Sequence, residues 1–220
     1  MHWLITTNKC CSVIIRNMKT INKKIVLPVI LGILTTMPSY WIPKIFIDIN
    51  KAHFVNTIID DIIPLHTPAV VIYVLAYLQW LLAIYILLKQ DTLFGKRFAV
   101  MFAISSVFDF FVYVLYPTRM DRPILDTNNI FDWILSIVYS VDTPVNLCPS
   151  FHCLASTFTI IALNHSNIDK KYKVINIVFS ILVFASTVLT KQHCFVDVLA
   201  GVLLACLCYL VSIILLKKCE

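Results

Sequence analysis

Six apolar runs constrain this chain more than any other feature: Ile25–Trp41, Ala69–Leu88, Phe98–Tyr116, Ser150–Asn164, Tyr172–Thr190 and Cys194–Leu216. A helix needs about 20 apolar residues to cross the hydrocarbon of a bilayer. The backbone must then satisfy its own hydrogen bonds, so runs of this length predict helices and not strands. The expected fold class is all-α: a polytopic membrane bundle of six transmembrane helices. The fourth run is the shortest and begins with polar residues, so its boundary is the hardest to place. A composition that is 60% hydrophobic is not that of a soluble domain. Gly32, Gly95 and Gly201 are the only glycines, too far apart for a phosphate loop or a dinucleotide fingerprint.

Orientation follows from the cations. With both termini on one side, Lys9, Arg16, Lys19, Lys23, Lys24, Lys89, Lys96, Arg97, Lys170, Lys171, Lys173, Lys217 and Lys218 fall together. Only Lys44, Lys51, Arg119, Arg122 and Lys191 fall on the other. That bias makes both termini cytoplasmic and the protein an integral component of the cell membrane. Residues 1–24 form a cytoplasmic lead-in, 25–216 the membrane domain and 217–220 a cytoplasmic tail. The apolar patch around Ile14 is too brief for a signal peptide. The net charge of +6 lies in short clusters beside apolar runs, which suits an anionic lipid surface and not nucleic acid.

Two outer loops, Lys44–Thr67 and Thr118–Pro149, carry apolar residues at helical spacing, with Asn129 placed as an N-cap. They are expected to form helices that lie in the outer interface or pack over the mouth of the bundle.

Three motif stretches converge on that outer face. His193 and Asp197 stand four residues apart, on one face if the segment is helical, so that the carboxylate can hold the imidazole in one tautomer. Pro149 and Ser150 are read as opening the fourth span, proline being favoured at the first helical position, which places a helix N-terminus and His152 at the mouth. Arg122, set in a turn by Pro123, offers a planar fork for phosphate oxygens. Two histidines, a carboxylate, an arginine and a helix N-terminus, without an acidic cluster for a hard metal, suit phosphoryl transfer with no cofactor.

Arg122-Pro123, then Pro149-Ser150-Phe151-His152, then Ser186 with His193 and Asp197, resemble the three-part pattern of the type 2 phosphatidic-acid phosphatase superfamily. Leu115 stands where the family has a lysine, and Thr187 where it has an arginine. The stretch LTKQHCFVDV is also similar to sphingomyelin and inositol-phosphorylceramide synthases. The resemblance implies that His193 is the nucleophile, giving a phosphohistidine, with Asp197 orienting it and His152 acting as acid and base. Arg122 and Ser150 would hold the phosphate, and Arg119 and Lys191 are candidates for the missing cations, Lys191 above all. The implied substrate is a phosphorylated lipid at the outer face. The alternatives are a phospho-head-group transferase and an inactive relative serving as a transporter or scaffold.

Asp109, inside the third run, is read as a packing residue before a catalytic one. His53, His66 and His165 are read as loop or interface residues. Cys148, Cys153 and Cys194 neighbour the motif histidines; a zinc site and a disulfide such as Cys148 to Cys194 both stay open.

Overall fold

The computed structural model describes residues 20–89, 92–126 and 129–216. The lead-in up to residue 19 and the tail at 217–220 lie outside the described residues. The first apolar run is two helices, α1 (Lys23–Leu34) and α2 (Thr36–Phe46). At their junction hydroxyls bond back onto the preceding turn: Thr35 Oγ1 to Gly32 O and Thr36 Oγ1 to Ile33 O, both 2.6 Å. Together α1 and α2 make a 24-residue segment that ends beyond the expected Trp41. Lys44, expected in a loop, therefore stands in the last helical turn.

A short strand β1 (His53–Phe54) and helix α3 (Ile58–Ile62) follow, then α4 (Val70–Leu87) and α5 (Thr92–Leu115). The second long loop holds β2 (Thr118–Arg119) and α6 (Ile130–Val141). The chain ends in α7 (Phe151–His165), α8 (Lys170–Leu189) and α9 (Phe195–Leu216). The fold is an all-α polytopic membrane bundle, and the protein is an integral membrane protein. Five segments are long and apolar enough to cross a membrane among the described residues. The expected fourth span, α7, is only 15 residues and stands apart from those five.

The packing explains why. α7 sits at the centre against α4, α8 and α9, with most of its residues buried. Its Ser156 and Thr159 join Gln79 of α4 and Asn176 and Ser180 of α8 in a buried polar network. Gln79 donates to Asn176 Oδ1 at 2.9 Å and to Ser180 Oγ at 2.7 Å. Such interhelical bonds fix helices in an apolar medium, where polar groups have no water to turn to. Towards the end of the bundle away from the motif residues, Phe98, Phe102 and Phe158 stack in a dry core.

Two of the glycines are where helices come closest. A Cβ on Gly201 of α9 would lie 2.5 Å from Ser150 O, and one on Gly32 of α1 would lie 2.8 Å from Ala99 O of α5. Both meet backbone, which cannot swing aside.

The two long loops, Lys44–Thr67 and Thr118–Pro149, are ordered in part by pairing with each other. β1 pairs in parallel with β2, and Arg119 bridges antiparallel to Val145. α6 is capped as expected, Asn129 Oδ1 accepting from the amides of Phe131 and Asp132 at 2.9 Å. Leu135 is buried beneath it, while Ile130, Trp133, Ile137 and Val141 face outward. α6 thus covers the mouth and also presents an apolar stripe to its surroundings.

Replacing Gly201 by valine should push α9 off α7. Overpacking of this kind costs about 1–3 kcal/mol, so the thermal midpoint of detergent-purified Gly201→Val should fall clearly below that of Leu203→Val, at a position facing out of the bundle. Equal midpoints would show that the two helices are not in the described contact.

Candidate functional site

The C-terminal end of α2 and the N-terminal ends of α7 and α9 meet at one mouth, and the hairpin between α8 and α9 lies across it. Residues Thr190 to Cys194 of that hairpin are held on every side. The amides of Gln192 and His193 both donate to Thr187 O, at 3.0 and 3.1 Å. Tyr139 of α6 donates to Thr190 O at 2.7 Å, its phenol kept protonated by burial that raises its pKa to about 12. The Cys194 amide donates to Asp197 Oδ2 at 2.8 Å, and the Phe195 amide to Asp60 Oδ1 at 2.7 Å. Asp60 and Asp197 therefore occupy the first amides of α9, where negative charge is favoured. Asp60 is buried and also caps its own helix through Thr57. It was not singled out from the sequence, since its role depends on a segment far along the chain.

His193 does not share a helical face with Asp197 as expected, because α9 starts two residues after it. The pair meets through the turn instead. Its Nδ1 donates to Leu147 O at 3.0 Å and lies 3.5 Å from Asp197 Oδ2. A ring tied at Nδ1 keeps its Nε2 lone pair available to attack or to accept a proton.

The expected helix opening at Pro149 shifts by one step. Ser150 is the N-cap, its hydroxyl accepting from the Cys153 amide at 3.5 Å, and Pro149 lies outside the helix. Ser150 also donates its amide to Asp197 O at 3.0 Å, so the starts of α7 and α9 are joined. His152 then projects from the first turn. Its ring stacks on Tyr73 at 4.0 Å, with Trp80 at 5.0 Å and Tyr77 at 5.5 Å. The two imidazoles stand 6.4 Å apart, centroid to centroid. His152 Nε2 is buried with no partner among the described residues.

Arg122 reaches the same mouth. One terminal nitrogen donates to Asp142 O, the other to Gln192 Oε1 at 2.6 Å, and the guanidinium lies 4.6 Å over the Tyr139 ring. Its Nε and the Nε2 of Gln192 are buried without partners among the described residues. Lys44 of α2 joins from the other side, donating to Asp142 Oδ1 at 2.9 Å and to Tyr40 Oη at 2.6 Å. Burial works to raise the Asp142 carboxyl, but Lys44 and the bond from Tyr40 outweigh it and hold the group below the usual carboxylate range.

The other two candidate cations are engaged elsewhere. Arg119 Nε donates to Ala52 O at 3.2 Å within the paired loops. Lys191 has its Nζ on Asp60 O at 2.7 Å and Ile63 O at 2.5 Å, clasping α3 to the hairpin. It lines, with Arg122 and Asp60, a cleft of about 520 Å³. Leu115 is 76% exposed and faces out of the bundle, and Thr187 is buried beneath the hairpin. Cys148, Cys153 and Cys194 are free thiols. Burial, with Asp197 adding to it, pushes Cys148 up to about 12. Asp109 is buried, with one carboxyl oxygen unpartnered among the described residues.

Neither the curated proteins nor the solved structures compared with this chain provide a match. A family model does match, that of the PAP2 superfamily, over residues 44–211. The matched stretch runs from the last turn of α2 into α9 and contains Lys44, Arg122, Asp142, Ser150, His152, Gln192, His193 and Asp197. With well over half its length matched, the chain belongs to the PAP2 superfamily.

Proposed function

We propose that this protein removes the phosphoryl group from a phosphorylated lipid at the outer face of the cell membrane, through a phosphohistidine on His193. Family membership makes it a lipid enzyme of the phosphatase and phosphotransferase type. The observation that carries the finer reading is a histidine braced at Nδ1 whose ring lies 6.4 Å from that of His152, at a mouth where Arg122 Nε and Gln192 Nε2 are buried donors without partners among the described residues. Buried donors without partners are rare in native proteins and mark a place where a ligand supplies the acceptor. Phosphoryl oxygens are such acceptors, and a planar guanidinium matches their geometry.

In the first step His193 Nε2 attacks phosphorus and the bond to the lipid oxygen breaks, while His152, neutral in its aromatic enclosure and protonated as the phosphate enters, gives that oxygen a proton. The charge left on His193 is met by Leu147 O and Asp197. In the second step water, or an acceptor alcohol, loses a proton to His152 and attacks phosphorus, and the N–P bond breaks to restore the imidazole. Arg122 and the N-terminus of α7 stabilise the equatorial oxygens, where charge spreads in the transition state.

His193→Ala, His152→Ala and Asp197→Asn should each lower turnover by about two to four orders of magnitude, the range for losing a nucleophile or an acid–base group. The assay is phosphate release from phosphatidate, a polyprenyl diphosphate, phosphatidylglycerol phosphate and a sphingolipid phosphate, with and without diacylglycerol or ceramide. Radiolabel trapped on the protein should survive alkali and be lost in acid. Transfer to the added alcohol in place of phosphate release would make the enzyme a phosphotransferase. Silence on the whole panel would favour an inactive transporter or scaffold.

Sidedness is a second test, resting on the lysine and arginine bias. In a cysteine-free background, Ile124→Cys, at a position 97% exposed in the second outer loop, should react with an impermeant thiol reagent added outside intact cells. Lys96→Cys, at the opposite end of the bundle, should react only after lysis. The reverse pattern would put the site in the cytoplasm.

A further inference from the structure

We propose that Lys44, carried on the last turn of α2, is the second cation that grips the transferring phosphoryl group, opposite Arg122. This rests on the phosphoryl-transfer reading above and adds to it where the positive charge comes from. Lys44 has a side chain only 10% exposed, and its sole ion-pair partner among the described residues is Asp142. An ammonium has three donors. Two are engaged, by Asp142 Oδ1 and Tyr40 Oη, which leaves one for a ligand.

Arg122 stands on the other side of the same residue, bonded to the Asp142 backbone carbonyl and keeping Nε unpartnered. Two cations thus flank one carboxylate, for a net charge of +1 over Lys44, Arg122 and Asp142. Tyr40 packs edge-on against Tyr113 at 6.1 Å, and Tyr113 donates to Pro149 O at 3.0 Å, beside the cap of α7. Lys44 is in this way built into the wall that ends at His152. Asp142 serves as its holder: it keeps the ammonium charged and placed while no anion is bound, and yields part of the bonding when one arrives. The positions where sequence comparison looks for cations do not serve, because Leu115 faces outward and Thr187 is neutral.

Titration of orthovanadate into the full-length protein in detergent, followed by calorimetry, tests this without a known lipid substrate. Lys44→Met should weaken vanadate binding by between about tenfold and a hundredfold, the range for losing one hydrogen bond to a charged group. Lys44→Arg should stay within a few-fold of wild type. Asp142→Asn, which removes the clamp and leaves the cation, should bind vanadate at least as tightly as wild type. If Lys44 only tied α2 to α6, Asp142→Asn and Lys44→Met would lose binding alike, and the proposal would be overturned. It also fails if Lys44→Met binds as wild type does. No binding by wild type would instead remove the phosphoryl-transfer reading itself.

Discussion

A helix as polar as α7 can stand in a bilayer only if other helices enclose it, and the rest of the bundle is arranged to do so. Ser156 and Thr159 would each carry a desolvation cost against lipid. They are satisfied instead by Gln79, Asn176 and Ser180 from helices on two sides. Trp80 adds a third contact by donating to Ser156 Oγ at 3.0 Å, which also sets its ring beside His152. The network that hides the helix thereby shapes the aromatic enclosure of the imidazole one turn above.

Enclosure also places the starts of α7 and α9 against each other. Gly201 has no side chain to hold α9 away, so the Ser150 amide reaches Asp197 O and Leu147 O reaches His193. Two segments that carry separate motifs become one rigid unit by hydrogen bonds between backbone and side chain. The proposed nucleophile sits on a hairpin, the kind of element that is usually mobile. Here its amides are bonded to Thr187 O, Asp197 and Asp60, and its carbonyl at Thr190 to Tyr139. Pre-organisation of this kind is what transition-state stabilisation requires, since donors that must move into place lose part of their effect.

The electrostatics of the mouth are balanced more finely than its net charge suggests. Asp60 and Asp197 are held at the N-terminal amides of α9, so two carboxylates lie close to the hairpin without opposing an incoming anion freely. Asp142 is paired with Lys44 and Tyr40. Asp197 Oδ1, Arg122 Nε and Gln192 Nε2 are buried without partners among the described residues, so the mouth keeps one free acceptor beside two free donors.

Five of the six expected spans, and the convergence of the two histidine stretches at one end of the bundle, were legible in the sequence because both signals are local: apolar length, and fixed spacing within a short motif. Asn129 could be read as a cap for the same reason. What the sequence could not determine was anything set by contact between distant segments. Lys44 read as a loop cation because the continuous apolar run ends at Trp41, just before Pro43, yet the helix carries on to Phe46. Lys191 read as a phosphate ligand from its nearness to His193, yet its ammonium lies on the carbonyls of Asp60 and Ile63. Asp60 carried no motif at all, and only the folding of the first long loop onto the hairpin brings it to α9. Apolar periodicity records which residues leave water. It does not record which charged tip, on a long flexible stem, finds which partner once the helices have packed.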